Sequence, residues 1–212
     1  MPTKLPRIWI ITSPDHQAGP VASVRRALEG RAGGQIGVQL RAKRTSDRAL
    51  IEWGRELRML TESVGSPLVV NRRADVAHII GADGVHLPET GLLIAQIRHQ
   101  WPSLEMIGVS RHDRAGLVAA QETGATYAFL SPVREVPGKN PPIGVEGFRR
   151  AIAGLQIPVF ALGGIGLEEV EPLLDAGAQG VAVQRAVCDA EEPRIVLDGF
   201  LSRLDKDHAN VE

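Results

Sequence analysis

IPVFALGGIGLEEVEPLLDAGAQGVAVQRAV, residues 157–187, decides how the rest of the chain is read. Val159 to Leu162 and Val181 to Gln184 are apolar runs of strand length, and Leu167 to Ala176 between them has helical character. Two apolar strands joined by one amphipathic helix predict a parallel β-α-β unit. Gly163-Gly164 follows the first run directly, and Gly177-Ala178-Gln179-Gly180 leads into the second. Glycines at the C-terminal end of a parallel strand let backbone N–H groups approach an anion without obstruction by a Cβ. The stretch therefore predicts both an architecture and a phosphate-like ligand.

Working outward, further strand-length runs occur at Ile8–Thr12, Ile36–Leu40, Leu68–Asn71, Gly84–Leu87, Met106–Ser110 and Tyr127–Ser131. Between them lie stretches of helical spacing: Val21, Val24 and Leu28 share a face, as do Leu50, Trp53, Leu57 and Leu60. Helices are also expected over 75–80, 92–99, 114–122, 145–155, 167–175 and 192–204. Gly81-Ala82-Asp83-Gly84 and Gly124-Ala125-Thr126-Tyr127 repeat the helix-to-strand turn of the opening stretch, and Gly33-Gly34-Gln35 is a weaker copy. Ser13-Pro14 and Ser131-Pro132 mark strand exits. Strands alternating with helices indicate an α/β protein with a parallel sheet. A doubly wound open sheet competes, but the repetition favours a single-domain (β/α)8 TIM barrel over residues 1–205, with 206–212 as a flexible tail.

Length and composition agree. The 212 residues lie near the lower end for such a barrel, and 43% hydrophobic with 23% charged residues is ordinary for a globular domain. A net charge of −1 gives no global field for nucleic acid or an anionic membrane. Cys188 is the only cysteine, which excludes an intrachain disulfide and any cysteine-rich metal site. No leading basic-then-apolar segment resembles a signal peptide, no run approaches ~20 apolar residues, and the cytoplasm is the expected location. The oligomeric state is open, a homodimer being one expectation.

In a barrel of this type the chemistry sits at the C-terminal strand ends. Strand 2 exits through Arg41-Ala42-Lys43-Arg44, which reads as an anion site or equally as a solvated basic turn. Strand 3 ends at Asn71, able to donate and accept hydrogen bonds, followed by Arg72 and Arg73. His86, on strand 4, reads as a hydrogen-bonded structural histidine. Strand 5 exits through Ser110-Arg111-His112-Asp113, and His112 is the acid–base candidate, unless Asp113 caps the next helix and leaves His112 idle. His16, His78, His99 and His208 carry no such pattern. The loop after strand 6 contains Pro132, Pro137, Pro141 and Pro142, and its Lys139 could close on an anionic substrate or remain a surface lysine. No HxH, HExxH or paired-carboxylate cluster signals a metal site.

The order of these exits resembles the thiamine phosphate synthase/TenI family of barrels across nearly the whole chain. The resemblance rests on QLRAK (39–43), Asn71 with DVA (75–77), GADGVHL (81–87), IGVSRH (107–112), SPV with Lys139, PVFALGGI (158–165) and AGAQGVAV (176–183). It implies binding of a small phosphorylated thiazole-type ligand. Gly163, Gly164 and the backbone around Gln184 and Arg185 would hold the phosphate, with Arg41 or Lys43 facing a carboxylate. A synthase of this family joins a pyrimidine pyrophosphate to a thiazole phosphate with Mg²⁺ on the leaving group. The positions of its metal-binding aspartates read Arg72 and Gly91 here, the usual glutamate of the strand-2 exit is Ala42, and two threonines of the strand-6 loop are Val136 and Gly138. Arginine and glycine side chains offer no oxygen to a hard cation. The depleted pattern resembles the TenI branch, which implies a thiazole tautomerase: an isomerase moving a proton through His112 with no cofactor or metal. Mg²⁺ would be needed only for the alternative, thiamine phosphate synthase. A third reading is a non-catalytic phosphate-ligand binder.

Overall fold

In the computed structural model, residues 5–13, 19–31 and 34–205 are described, and they form a closed ring of eight parallel strands. The strands are β1 (Ile8–Ile11), β2 (Ile36–Leu40), β3 (Leu68–Asn71), β4 (Gly84–Leu87), β5 (Met106–Arg111), β6 (Tyr127–Leu130), β7 (Val159–Leu162) and β8 (Gly180–Val183). Each pairs with its neighbours in sequence, and β1 closes the ring against β8. The outer helices are α1 (Gly19–Leu28), α2 (Asp47–Ser63), α3 (Ala74–Ile79), α4 (Ile94–Gln100), α5 (Arg114–Glu122), α6 (Gly144–Ile152), α7 (Val170–Asp175), α8 (Arg185–Cys188) and α9 (Pro193–Asp205). The predicted TIM barrel is thus the observed fold. Pro14, His16, Gly33, His208 and the 206–212 tail lie outside the described residues. No helix among those described is long and apolar enough to cross a membrane.

The strands are apolar on both faces because both are covered, one by helices and one by the barrel's own interior. Ile8, Ile10, Val38, Val70, Val85, Ile107 and Val181 face outward into the layer packed by the helices. The alternate positions Trp9, Ile11, Val69, Met106, Tyr127, Phe129, Phe160 and Ala182 fill the barrel. The chain's only tyrosine, one of three tryptophans and two of four phenylalanines lie here. Trp9 stacks on Tyr127 at 5.0 Å, while Phe129 and Phe160 meet Trp9 edge-on. Few but large rings close the lower barrel, so ligand space is left only at the C-terminal end.

Several boundaries differ from the sequence reading for local reasons. The 167–175 helix begins as a 3₁₀ turn, Leu167–Glu169, before α7. Pro172 has no N–H to offer the Glu168 carbonyl, so the α-pattern cannot run back through this turn. The last strand spans Gly180–Val183, and Gln184 leaves the ladder to precede α8, a short helix that the spacing did not predict. The expected 92–99 helix starts at Ile94, leaving Leu92 and Leu93 exposed.

Candidate active site

Alternation along the strands places the uppermost inward side chains at the C-terminal end of the barrel. Asn71, Ser110, Ser131, Leu162 and Gln184 occupy these positions and border one cavity of about 590 Å³. That size suits a small-molecule site. Arg41, Lys43, His112, Lys139, Gly163, Gly164 and Arg185 also line it, so every site residue predicted from the sequence reaches the same space.

Asn71 is oriented from behind. Gln39 Nε2 donates to its Oδ1 at 3.2 Å, which leaves the amide N–H groups of Asn71 as the donors available to a ligand. Ser110 is held similarly: its Oγ lies 2.9 Å from His86 Nε2, and His86 Nδ1 lies 3.3 Å from the Tyr127 hydroxyl. His86 is fully buried and does not line the cavity. Desolvation first, then the charges of Arg111 and Arg41, push its pKa down to about 3, so it stays neutral and supports Ser110.

Asp113 does cap α5, accepting a 2.8 Å hydrogen bond from Gly116 N, and His112 still lines the cavity. Its Nδ1 lies 2.7 Å from the Ser131 carbonyl. A carbonyl only accepts, so Nδ1 is the donor in this bond, which fixes the ring's orientation beside the cavity.

The glycines of the opening stretch have a structural duty beside any ligand. Gly163 and Gly164 adopt φ of 100° and 68°. A Cβ on Gly164 would stand 2.7 Å from Arg134 Cβ, and one on Gly163 would stand 2.9 Å from Pro132 Cα. The turn is pressed against the β6 loop, where Val133 N and Arg134 N donate to the Leu162 and Gly163 carbonyls at 3.0 and 2.9 Å. Glu169 ties the two loops together, accepting from Gly166 N at 2.8 Å and from Arg134 Nε at 3.1 Å.

Arg72 is the functional candidate that the site reading left out. Alternation would turn it outward after inward Asn71, but its φ is +68° and Arg73 N donates to the Asn71 carbonyl at 2.9 Å. This is a classic γ-turn, a rare and strained geometry, and it brings Arg72 to the cavity wall. It is the sole non-glycine residue with positive φ among those described. Arg73 points away and is bound by Asp47 and Asp75 at 2.5 and 2.7 Å.

The cavity is strongly cationic although the whole chain is near neutral. Among the described residues, Arg41, Lys43, Arg72, Lys139 and Arg185 line it, against the single carboxylate Glu89. The charge of Glu89 acts on Arg111, raising its basicity against the lowering by burial. Mg²⁺ at a phosphate site takes one or two protein carboxylates besides phosphate and water oxygens. Among the described residues the cavity wall offers Glu89 alone, and no group of three or more His, Cys, Asp or Glu is arranged to hold a metal ion. With five cations lining the same cavity, Glu89 is a poor nucleus for such a site. The side chains present do not fit a protein-held divalent cation.

The sequence profile of the family described as thiamine monophosphate synthase matches residues 8–187. The chain belongs to this family. It is 37% identical to the thiamine-phosphate synthase of Pyrococcus horikoshii, over 92% of each chain. It is 35% identical to that of Nostoc punctiforme over 94% of its own length, but spans only 56% of that longer relative. Among solved structures, thiamine phosphate pyrophosphorylase from Pyrococcus furiosus superposes with a TM-score of 0.85 at 32% identity, covering 96% of this chain and 97% of that one. A 3-hexulose-6-phosphate synthase at 13% identity and a TM-score of 0.69 shares the barrel alone. These findings overturn the expectation of a TenI-branch thiazole tautomerase. The relatives are named for the synthase, and nothing in them supports an isomerase. The physical reason for the error is that missing carboxylates were read as missing function, whereas side-chain cations can neutralise a phosphate group too.

Proposed function

We propose that this family member is a thiamine phosphate synthase, a transferase working on two phosphorylated small molecules. The observation that carries the reading is similarity along nearly the full chain to proteins bearing that name. The cationic cavity supports it, since both substrates are anionic. The near-neutral net charge is in keeping with small-molecule work in the cytoplasm rather than with nucleic acid or membrane surfaces.

The reaction forms one C–N bond and breaks one C–O bond. The thiazole nitrogen gives its lone pair to the methylene carbon of the pyrimidine. The C–O pair leaves on the diphosphate, the product ring nitrogen becomes cationic, and nothing is oxidised or reduced. β3 and β7 lie four strands apart in the eight-strand ring, on opposite walls. In our reading the thiazole phosphate sits against Gly163, Gly164, Gln184 and Arg185, and the diphosphate against the β2 and β3 exits, with Lys139 of the β6 loop reaching it from the other side of the mouth. Asn71, Ser110 and His112 then hold the rings between the two anions, the arrangement that places nucleophile and carbon in contact.

The test is to incubate the purified chain with both substrates and follow thiamine phosphate. Turnover is expected, with kcat/KM lowered about tenfold or more in His112→Ala, the usual effect of losing a hydrogen bond to a charged or polarised group. Saturable binding of both ligands with no product would refute the synthase reading.

A further inference from the structure

We propose that the γ-turn at Asn71–Arg73 presents Arg72 as a charged replacement for a metal ion, so that Arg72, Lys43 and Lys139 hold the diphosphate without a protein-bound divalent cation. The inference deepens the synthase reading and rests on it.

Four observations carry it. Arg72 reaches the cavity only because the chain adopts a conformation that strongly disfavours any residue but glycine. Strain of this kind persists where the surroundings enforce it, and the twofold anchoring of Arg73 by Asp47 and Asp75 does so here. Arg72, Lys43 and Lys139 all line the same cavity, and none forms an ion pair with a carboxylate among the described residues. Finally, the cations crowd one another. The charge of Arg41, then burial, then Lys139, Arg72 and Arg44 all lower the basicity of Lys43. β2 and β6 stand on opposite walls of the ring, yet Lys43 and Lys139 border the same cavity. Like charges gathered in one place favour a polyanion, and each bound phosphate oxygen relieves their repulsion.

The arrangement suits the leaving step. As the C–O bond breaks, negative charge grows on the diphosphate, and cations already in position stabilise it without rearranging. Guanidinium geometry allows Arg72 to offer paired N–H donors, which a lysine cannot match.

Calorimetry with inorganic pyrophosphate, using the full chain in EDTA and again in Mg²⁺, tests this directly. Saturable binding is expected in EDTA, with no more than a few-fold gain from Mg²⁺. Arg72→Gly removes the guanidinium while relieving the positive φ, so its melting temperature should be unchanged or higher while pyrophosphate affinity falls about tenfold or more. Arg72→Lys should recover part of that loss. Pyrophosphate binding only in Mg²⁺, or unchanged affinity in Arg72→Gly, would overturn the inference. The two readings fail differently. Thiamine phosphate formed only with Mg²⁺ would leave the synthase reading intact and reject the metal replacement. Tight pyrophosphate binding in EDTA with no thiamine phosphate formed would reject the synthase reading and keep the anion site.

Discussion

His86 shows how one buried side chain links stability to the site. Its pKa falls from the usual 6.5 to about 3, because burial penalises the charged ring and Arg111 and Arg41 repel it. Between these values the unfolded chain binds a proton that the folded chain refuses. Stability is therefore full above pH 6.5 and declines by about 1.4 kcal/mol per pH unit as the pH falls toward 3. Asp75, whose pKa is lowered mainly by its hydrogen bond with Arg73, adds to this loss only near and below the ordinary aspartate range. Urea unfolding at pH 7.5, 6.0 and 5.0 should show the decline, and His86→Gln should flatten it. Parallel acid limbs in the two proteins would exclude His86 as the cause. Cys188 offers no comparable switch, since burial first and then the charge of Asp189 push its thiol up to about 12.

At the scale of elements, the β6 and β7 exits form one unit. The Gly163-Gly164 turn fits beneath Pro132 to Glu135, and Glu169 clamps the two from the side. Gly164→Ala combines an unfavourable φ with a 2.7 Å approach to Arg134 Cβ and a 3.0 Å approach to Glu135 O. We expect a loss of about 1–3 kcal/mol in denaturant unfolding, with weaker thiazole phosphate binding in the surviving fold. A variant as stable as the parent would show that the loop yields freely. The glycines were legible in the sequence as a turn at a strand exit, while their packing duty was not, because the β6 loop is about thirty residues away in sequence. Helix starts were only roughly legible: proline and capping groups set them, and spacing alone does not register a proline's missing N–H.

For the whole molecule, the decisive contrast is between a net charge of −1 and a cavity wall carrying five cations. Such a site attracts anions at short range only. Raising ionic strength from about 0.1 to 1 M shortens the screening length from about 10 to 3 Å. KM for both phosphorylated substrates should rise several-fold in steady-state assays, with kcat changing far less. An equal fall in kcat would place the cations' effect on the chemical step instead. The barrel itself concentrates these charges, since it is plugged below by Trp9, Tyr127, Phe129 and Phe160 and open at its C-terminal end, where strands 2, 3, 6 and 8 deliver their basic residues.

The periodicity of apolar runs determined an α/β protein with eight parallel strands, because a strand covered on both faces must be apolar throughout and a helix packed outside must repeat near 3.6 residues. The repeated helix-to-strand turns favoured the barrel over an open sheet. Strand order also singled out most of the ten candidate residues, since residues at successive C-terminal strand ends converge once the ring closes, while the family resemblance added Gln184 and Arg185. Only the tertiary structure decided which way Arg72 turns. Alternation alone sends it outward. A positive φ, enforced by the pairing of Arg73 with Asp47 from another element, sends it to the cavity instead. Residue identity alone puts a cation at position 72, but backbone geometry determines where that charge stands.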